Sequence, residues 1–498
     1  MATVAETLSS PAVSPRAQPQ TIASSHALDT PEAVHRLFAL QQSHRWTMAR
    51  TTAEERIQRL LKLRAAIHAH RSDLLTAVHQ DFRKNPTEFE LTELYIVLQE
   101  LQHTVTHLEE WLTPRPVRTP AVLFGTRSEL RLEPKGVVAI LSPWNYPFQL
   151  TFAPLIAAVA AGNCAIVRPS EKTARTAHVM GRIVRDAFDE REVALVRGGR
   201  DVADAMLDLP FGHFFFTGSP KIGKKVMAKA AEHLASVTLE LGGKSPAIVD
   251  ETADVKAAAE RIAWGKLVNA GQTCVAPDYA LVHESLRDRF IDALRAAIER
   301  TWGRTEEARR QSNDFARMID DASFARVKAL IEEALAVGGR LELGGQFDPE
   351  QRYIAPTVIS GLTPAAAIMK EEIFGPVLPV LTFRTLDEAV SLIHRLGKPL
   401  ALYLFSRKEK NVEAYLAHTT SGGVCVNNVM VQLSNPDLPF GGVGQSGMGS
   451  YHGEAGLRAF SHERSVMRQG RPVSARLFYP PYTSAKKRLV ALLMKLTG

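Results

Sequence analysis

Short apolar runs alternate with helical patterns through most of this 498-residue chain, and this alternation constrains the fold more than any other feature. A crossover helix returns the chain to the same edge of a sheet, so strand–helix–strand alternation places neighbouring strands parallel. The runs that predict strands are 136–141, 165–168, 214–217, 246–249, 279–282, 377–383 and 400–406. We therefore predict an α/β protein with two doubly wound parallel-sheet domains.

Helical patterns separate these runs, and two longer ones precede them. Apolar residues recur at three- and four-residue steps in each. The predicted helices are 150–160, 174–188, 221–233, 253–267, 285–301 and 321–336, after the long patterns 31–80 and 86–112.

The two ends of the chain differ from this body. Residues 1–28 are rich in Ala, Ser, Pro and Thr, and we expect a disordered leader. A mitochondrial transit peptide is disfavoured, because the segment has one arginine. The net charge of +7 comes from residues 464–498, which hold eight basic residues and no acid. A nearly neutral body with a basic tail offers no broad face for nucleic acid.

Cysteine usage and hydropathy limit the compartment. Three cysteines, none in a Cys-x-x-Cys pair, cannot form a disulfide framework, so we expect a reducing cytoplasm. No apolar run approaches the roughly 20 residues that cross a bilayer. In the tail, Leu489, Leu492, Leu493 and Leu496 share a helical face. We favour packing of this face on the subunit or its partner over peripheral membrane contact.

A glycine pair marks a candidate anion site. Gly218 and Gly223 lie between an apolar run and a helical pattern, where a helix N-terminus favours an anion. Lys225 occupies the position where a P-loop needs a hydroxyl for magnesium, which argues against a nucleotide triphosphatase. The Rossmann Gly-x-Gly-x-x-Gly fingerprint is absent, and a simple tight turn is an equal alternative.

Three residues are candidates for nucleophilic chemistry. Cys274 follows a helical pattern among small and polar neighbours, in a loop that can present a thiolate, while an inert cysteine is the commoner case. Glu240 lies in an apolar strand-like stretch, where a carboxylate has either an ion-pair partner or a raised pKa. Asn145 follows the run 136–141, and its amide could donate to an oxyanion.

His103 and His107 have helical metal-ligand spacing, but no third ligand accompanies them. We expect them on a solvated helix face and predict no metal site.

Taken together, seven motifs in order resemble the aldehyde dehydrogenase superfamily, most closely its class 3 branch, from about residue 50 to 470. They are PWNYPF (143–148), RPSE (168–171), FTGSPKIGK (216–224), LELGGKSP (239–246), NAGQTCVAPDY (269–279), EEIFGPV (371–377) and LPFGGVGQSGMGSYHG (438–453).

The resemblance implies a division of the chain. A Rossmann-like cofactor domain would comprise 29–115 and 135–240, and a catalytic domain 241–440. Segments 116–134 and 441–470 would form a β-arm for oligomerisation and close the substrate pocket, and 471–498 the basic tail. A homodimer is the implied assembly.

The resemblance also implies an activity: NAD(P)-dependent oxidation of an aldehyde to a carboxylic acid through a cysteine thiohemiacetal and thioester. Cys274 would be the nucleophile, Asn145 the oxyanion donor and Glu240 the base that activates water. Tyr146 and Phe440 would line a pocket for medium-chain aliphatic or aromatic aldehydes.

A set of cofactor-binding residues follows from the same resemblance. Ser219 and the helix 222–233 would face the pyrophosphate, Glu372 the nicotinamide ribose, and Phe374 the nicotinamide. Glu171 would accept from ribose hydroxyls and repel a 2′-phosphate, so NAD is expected first and NADP second. Arg168 stands where the family usually has lysine. The full set is Trp144, Arg168, Ser170, Glu171, Gly218, Ser219, Gly223, Leu241, Glu372 and Phe374.

Two other classes remain open from the residues alone. A cysteine hydrolase or acyltransferase would share the nucleophile and the oxyanion donor but need no dinucleotide. A catalytically dead scaffold would be expected to lack one of Cys274, Glu240 and Asn145, and all three are present.

Overall fold

The computed structural model describes residues 29–120, 123–470, 476 and 479–497. Its α-helices are α1 Pro31–Ala49, α2 Ala53–Ala69, α3 Arg71–Phe82, α4 Pro86–Phe89, α5 Tyr95–Leu112, α6 Gln149–Ala160, α7 Ala174–Ala187, α8 Arg200–Leu207, α9 Pro220–Glu232, α10 Val255–Leu267, α11 Arg287–Trp302, α12 Glu306–Gln311, α13 Asp321–Ala336, α14 Leu386–Leu396, α15 Glu409–His418, α16 Gly453–Ala459 and α17 Ser484–Thr497.

Its strands are β1 Arg115–Val117, β2 Thr126–Pro134, β3 Val137–Leu141, β4 Cys164–Arg168, β5 Val193–Leu195, β6 His213–Gly218, β7 Ser236–Leu241, β8 Pro246–Val249, β9 Tyr279–His283, β10 Arg340–Leu343, β11 Phe347–Asp348, β12 Tyr353–Ile354, β13 Thr357–Ser360, β14 Val377–Phe383, β15 Ala401–Phe405, β16 Gly423–Val426, β17 Gly447–Met448 and β18 Ser461–Gln469.

The long pattern 31–80 is three helices rather than one. Thr52 and Glu55 form a capping box that begins α2, since each side chain satisfies a backbone amide of the other. Arg83 adopts a left-handed conformation (φ 61°) that ends α3, and Asn85 caps α4. Glu90–Leu94 forms a π-helical turn between α4 and α5.

Two parallel sheets organise the body, which confirms the predicted fold class. The first has the order β17-β7-β6-β3-β4-β5, with the short β17 antiparallel at one edge. The second has the order β10-β13-β14-β9-β8-β15-β16, with β10 antiparallel. β3 and β8 are buried at every position because helices cover both faces of each sheet.

A separate antiparallel sheet, β1-β2-β18, contains strands from the predicted arm segments. β18 pairs with β2 over nine residues, from Ser461↔Pro134 to Gln469↔Thr126. Most of β18 is exposed, in contrast to the buried central strands of the two larger sheets.

The structure describes a helix, α17, in the basic tail, whereas it does not describe the leader. In α17, Leu489 and Leu492 are exposed in the single chain and Leu493 is half-buried. Packing of this face on a partner subunit stays a prediction. The side chain of Leu496 and the leader 1–28 lie outside the described residues. Within the described part of the chain, no helix has the length and apolar character required to span a membrane.

The expected solvated face at His103 is wrong. Its side chain is 12% exposed and lies 3.3 Å from Asp437, and its ring is tilted against the rings of His107 (4.4 Å) and Trp111 (5.4 Å). The helix is covered here because the segment before α16 packs onto α5. The described residues contain no group of three or more metal-ligand side chains.

Candidate active site

Glu240 and Thr217 face each other where two parallel strands end. In the register of β6 and β7, Thr217 pairs with Glu240 and Gly218 with Leu241. The chain then leaves the sheet through Ser219, which begins α9. Polar side chains therefore collect at the carboxyl edge of the first sheet, where open α/β sheets bind ligands.

The loop that carries Cys274 is fixed by two left-handed residues. Asn269 and Ala270 have φ values of 56° and 52°, which turn the chain sharply after α10. The Asn269 amide donates to the carbonyl oxygens of Asn145 (2.9 Å) and Gln272 (3.1 Å). These bonds join the cysteine loop to the segment after β3.

Asn145 is buried beside this loop. Its Nδ2 donates one hydrogen bond to the Gln272 carbonyl at 3.0 Å. A primary amide carries two N–H groups, so the second remains for another acceptor. The structure thus places the Asn145 donor and the cysteine loop in direct contact.

Cys274 and Glu240 lie at the junction of two cavities. We call the first, of about 210 Å³, the aromatic cavity, and the second, of about 390 Å³, the helix-end cavity. Leu150, Thr217, Glu240 and Cys274 line both of them. A reacting atom at Cys274 is therefore open to two chambers that hold different groups.

Neither oxygen of the buried Glu240 carboxyl has a hydrogen-bond partner among the described residues. Burial holds the pKa of Glu240 well above its usual range. The sequence left open whether this residue is ion-paired or has a raised pKa, and the structure favours the second. A carboxylate that gains so little from its surroundings is a strong proton acceptor.

Burial also raises the pKa of the Cys274 thiol, and the Glu372 and Glu240 carboxylates raise it further. In the chain alone the protonated thiol is the favoured form, rather than the preformed thiolate that the loop composition suggested. Formation of the nucleophile therefore requires a base, and Glu240 lines both of the cavities that Cys274 lines.

The aromatic cavity contains both predicted pocket residues. Tyr146 and Phe440 line it, and the Tyr146 hydroxyl bonds to the Thr273 hydroxyl at 2.8 Å, directly beside Cys274. Sequence analysis missed the other aromatic lining, which comes from distant segments. Those residues are Trp264, Tyr451 and His452.

A buried ion pair supports the Tyr146 ring. Lys84 lies 3.9 Å from the ring centroid and pairs with Glu93 at 2.8 Å, and both charged side chains are fully buried. Glu93 also accepts from the Phe148 amide at 2.9 Å. No motif pointed to this pair, because Lys84 lies in the link between α3 and α4 and Glu93 in the π turn, far in sequence from Tyr146.

The helix-end cavity contains the N-terminus of α9. Gly218, Ser219 and Pro220 line it, and the Ser219 side chain makes no capping bond. Pro220 has no N–H and the Ile222 amide donates to the Ser219 carbonyl oxygen at 3.1 Å, so the Lys221 amide and the positive end of the helix dipole are what α9 offers an anion. Gly223 faces Leu241, since a Cβ at Gly223 would lie 2.7 Å from a Leu241 methyl group, so this glycine lets the helix approach β7 closely.

Trp144, Glu372 and Phe374 form the opposite part of this cavity. The Trp144 and Phe374 rings meet edge to face at 5.4 Å, and Phe374 has a φ of 49°. Glu372 packs against Gly242, and its buried Oε1 has no hydrogen-bond partner in the part of the chain that the structure describes. Burial raises the pKa of Glu372 to about 8.

These groups fit a nicotinamide dinucleotide. The uncapped helix end suits a pyrophosphate, and the unpartnered Glu372 oxygen suits a ribose hydroxyl.

Arg168, Ser170 and Glu171 form a corner after β4. The Arg168 guanidinium donates to Glu171 at 2.6 Å and to the carbonyl oxygen of Gly198 at 2.7 Å. Ser170 caps the short turn that follows by accepting from the Lys172 amide. Both bonds come from one nitrogen, Nη2, while Nε is buried and has no hydrogen-bond partner among the described residues, so the planar fork is only partly used within the protein.

A second buried network lies behind Glu372. Lys244 pairs with Asp278 at 2.5 Å, and Asp278 accepts from the Ile373 amide at 3.1 Å. Burial lowers the pKa of Lys266 to about 8, although Asp278 lies 3.8 Å away. The network holds the 371–374 turn against the second sheet.

Comparison with known proteins gives one consistent result. Residues 5–466 match the model of the aldehyde dehydrogenase family. A 4,4'-diaponeurosporen-aldehyde dehydrogenase of Staphylococcus aureus is 44% identical over 88% of this chain and 94% of its own length. The rat "aldehyde dehydrogenase, dimeric NADP-preferring" is 42% identical over 83% of this chain and 89% of its own.

Solved structures agree with the sequence relatives. A substrate-bound Staphylococcus aureus AldH has a TM-score of 0.88 at 42% identity and covers 92% of this chain and 99% of its own. An NAD-dependent aldehyde dehydrogenase from Sinorhizobium meliloti has a TM-score of 0.82 at 29% identity, with coverages of 91% and 89%.

Proposed function

The chain belongs to the aldehyde dehydrogenase family, whose members oxidise aldehydes with NAD or NADP, and we propose that Cys274, Asn145 and Glu240 carry this oxidation here. One observation supports the assignment above the others: Cys274 and Glu240 line both cavities. Hydride transfer requires an aldehyde carbon and a dinucleotide to meet at one sulfur, and this junction provides for both.

Attack by the Cys274 sulfur on the aldehyde carbon forms a tetrahedral thiohemiacetal. The thiol proton passes to a base, for which Glu240 is placed. The second N–H of Asn145 and the Cys274 backbone amide hold the oxyanion, and one such donor is typically worth about 3 kcal/mol.

Collapse of the thiohemiacetal releases hydride from the former aldehyde carbon and leaves a thioester on Cys274. A bound nicotinamide ring supplies the hydride acceptor. The residues that would hold the dinucleotide are Trp144, Arg168, Ser170, Glu171, Gly218, Ser219, Gly223, Leu241, Glu372 and Phe374.

Glu240 releases the thiol proton to solvent before this stage. It then accepts a proton from water, and the resulting hydroxide attacks the thioester. The tetrahedral adduct expels the Cys274 thiolate and releases the carboxylic acid. Because the carboxyl of Glu240 has no internal partner among the described residues, it is available to water at this step.

The substrate proposal follows from the aromatic cavity. Its volume of about 210 Å³ and its lining by Tyr146 and Phe440 suit an aromatic or medium-chain aliphatic aldehyde. For the cofactor, the Glu171 carboxylate beside Arg168 would repel a 2′-phosphate, which supports NAD first. The rat relative is named NADP-preferring, so NADP is the alternative.

For domains and assembly, we assign cofactor binding to the first sheet and catalysis to the second. We assign oligomerisation to the arm sheet β1-β2-β18. The exposed β18 and the dimeric rat relative support a homodimer through this arm. Three free cysteines support a reducing cytoplasm.

The direct test is an assay of purified protein with benzaldehyde or octanal and NAD. We expect reduced nicotinamide and the carboxylic acid in equal amounts. Ester hydrolysis by Cys274 without any reduction of NAD or NADP would instead identify a cysteine hydrolase.

A further inference from the structure

His452 occupies an unusual place in the aromatic cavity. It is only 4% exposed and lines the cavity beside Phe440 and Tyr451. Its ring stacks on Phe440 at 5.7 Å with an interplanar angle of 26°, and meets Tyr451 edge-on at 4.5 Å. The imidazole is therefore held in one orientation by two aromatic rings.

One ring nitrogen of this side chain has no partner. His452 Nε2 is buried and makes no hydrogen bond to any of the described residues. Buried polar atoms in proteins are nearly always paired, and an unpaired one lowers stability. Burial lowers the pKa of His452 to about 4, so the ring is neutral and offers one donor and one acceptor.

The backbone conformation of His452 is also energetically unfavourable. His452 has a φ of 80°, in the left-handed region that residues other than glycine seldom adopt. The neighbouring Gly453 donates its amide to Glu100 at 2.7 Å, and Phe440 and Tyr451 exchange two backbone hydrogen bonds. Strain of this kind persists where the surroundings enforce it, and it clusters at ligand-binding positions.

The imidazole lies to one side of the reacting groups. His452 lines the aromatic cavity but not the helix-end cavity, whereas Cys274 and Glu240 line both. His452 therefore belongs to the part of the site that receives the body of a bound substrate. The exposed Leu91 and Val431 lie at the outer end of the same cavity.

We propose that His452 is a specificity-determining residue that selects aldehydes with a hydroxyl group on the substrate body over aldehydes of the same shape without one. This inference rests on the proposed function. A substrate hydroxyl satisfies the unpaired nitrogen, whereas an apolar group of equal size leaves it buried and unpaired, and sites of this kind discriminate strongly.

The test compares hydroxymethylbenzaldehydes with ethylbenzaldehydes at the meta and para positions, where the hydroxyl cannot close onto the aldehyde. The two substituents have nearly the same volume and neither ionises. We expect kcat/KM to favour the hydroxymethyl compound by about tenfold or more at one ring position. A wild-type ratio near one at both positions would overturn the proposal, even if every compound is oxidised.

Three variants then assign the preference to the imidazole. In His452→Leu we expect the ratio to fall about tenfold, while His452→Asn, which keeps polar atoms, retains part of it. Leu433→Met, an apolar change in the same cavity, should leave the ratio unchanged. An unchanged ratio in His452→Leu would contradict the proposal.

Failure of the proposed function would look different. Wild-type protein that oxidises none of these aldehydes, nor benzaldehyde itself, overturns both the activity and this inference. If His452→Leu does not fold, the wild-type ratios and the His452→Asn variant still decide the proposal.

Discussion

The aromatic and helix-end cavities meet at Cys274 but are built in different ways. The helix-end cavity takes most of its lining from continuous motifs at two strand ends and one helix start, such as 143–145, 217–220 and 240–242. The aromatic cavity takes its lining from loops and helices far apart in sequence, including Leu91, Trp264 and Met430. Substitutions that line the aromatic cavity can therefore change substrate selection without changing the helix-end cavity.

The largest expected effect comes from the residue that both cavities share. Cys274→Ala should lower kcat by at least about 10⁴-fold, because no other described group at the junction can form the thioester. Binding of NADH, followed by its fluorescence, should change by less than about twofold, since the helix-end cavity stays intact. Cys425→Ala, which lines neither cavity, is the matched control. If Cys274→Ala kept its turnover, Cys274 would not be the nucleophile and the junction of the two cavities would not be the reacting centre.

A smaller loss is expected at Asn145. Asn145→Asp keeps the shape of the side chain but has no N–H donor, so kcat should fall about 10²-fold through loss of oxyanion stabilisation. Steady-state kinetics should show this fall with little change in the KM for either substrate. An unaltered kcat would mean that Asn145 only anchors the Gln272 carbonyl.

Glu171 lines neither cavity and tests only the proposed binding of the cofactor ribose at the corner after β4. Glu171→Gln removes the charge that would repel a 2′-phosphate, so kcat/KM for NADP should rise about tenfold relative to NAD. The KM for the aldehyde should stay constant, because Glu171 lies outside the aromatic cavity. If Glu171→Gln changed only the KM for the aldehyde, Glu171 would affect aldehyde binding rather than the choice of cofactor.

The smallest expected effect concerns stability. Burial raises the pKa of Glu100, behind the aromatic cavity, to about 7, and that of Glu372 to about 8. The native state therefore binds more protons than the unfolded chain above pH 4.5, and stability is lost as pH rises through these values. We expect the thermal midpoint to be a few degrees lower at pH 8 than at pH 5.5.

Glu100→Gln should make the thermal midpoints at pH 5.5 and pH 8 more similar. The glutamine amide keeps an acceptor for the Gly453 N–H but does not ionise. A midpoint that rises from pH 5.5 to pH 8 in the wild type, or an equal fall in the variant, would contradict the assignment to Glu100.

The sequence predicts those features that depend on a local pattern or a short motif. The strands 246–249 and 377–383 and the helix 321–336 agree with the structure residue for residue, because each is a local pattern with clear ends. Cys274, Glu240 and Asn145 lie in short motifs and were identifiable for that reason. The long pattern 31–80 did not show its breaks, since the capping box at Thr52 and the cap at His70 interrupt it without glycine or proline.

Tertiary packing accounts for what the sequence could not predict. From the sequence, Lys84 would be expected at the surface. It is instead fully buried against Glu93 and Tyr146, because three separate segments meet there. His452 follows the predicted motif 438–453 without a sign that its ring enters the cavity. The protonated state of Cys274 likewise depends on burial and on two carboxylates from distant strands and turns.

The central claim is that Cys274 forms a thioester that Glu240 helps to hydrolyse. Glu240→Gln mixed with benzaldehyde and NAD should release one burst of NADH and then stall, because deacylation lacks its base. Mass spectrometry of the stalled protein should find one peptide, containing Cys274, heavier by the mass of the aldehyde less two hydrogens. Steady turnover at the wild-type rate, or a burst without an adduct on Cys274, would contradict the account.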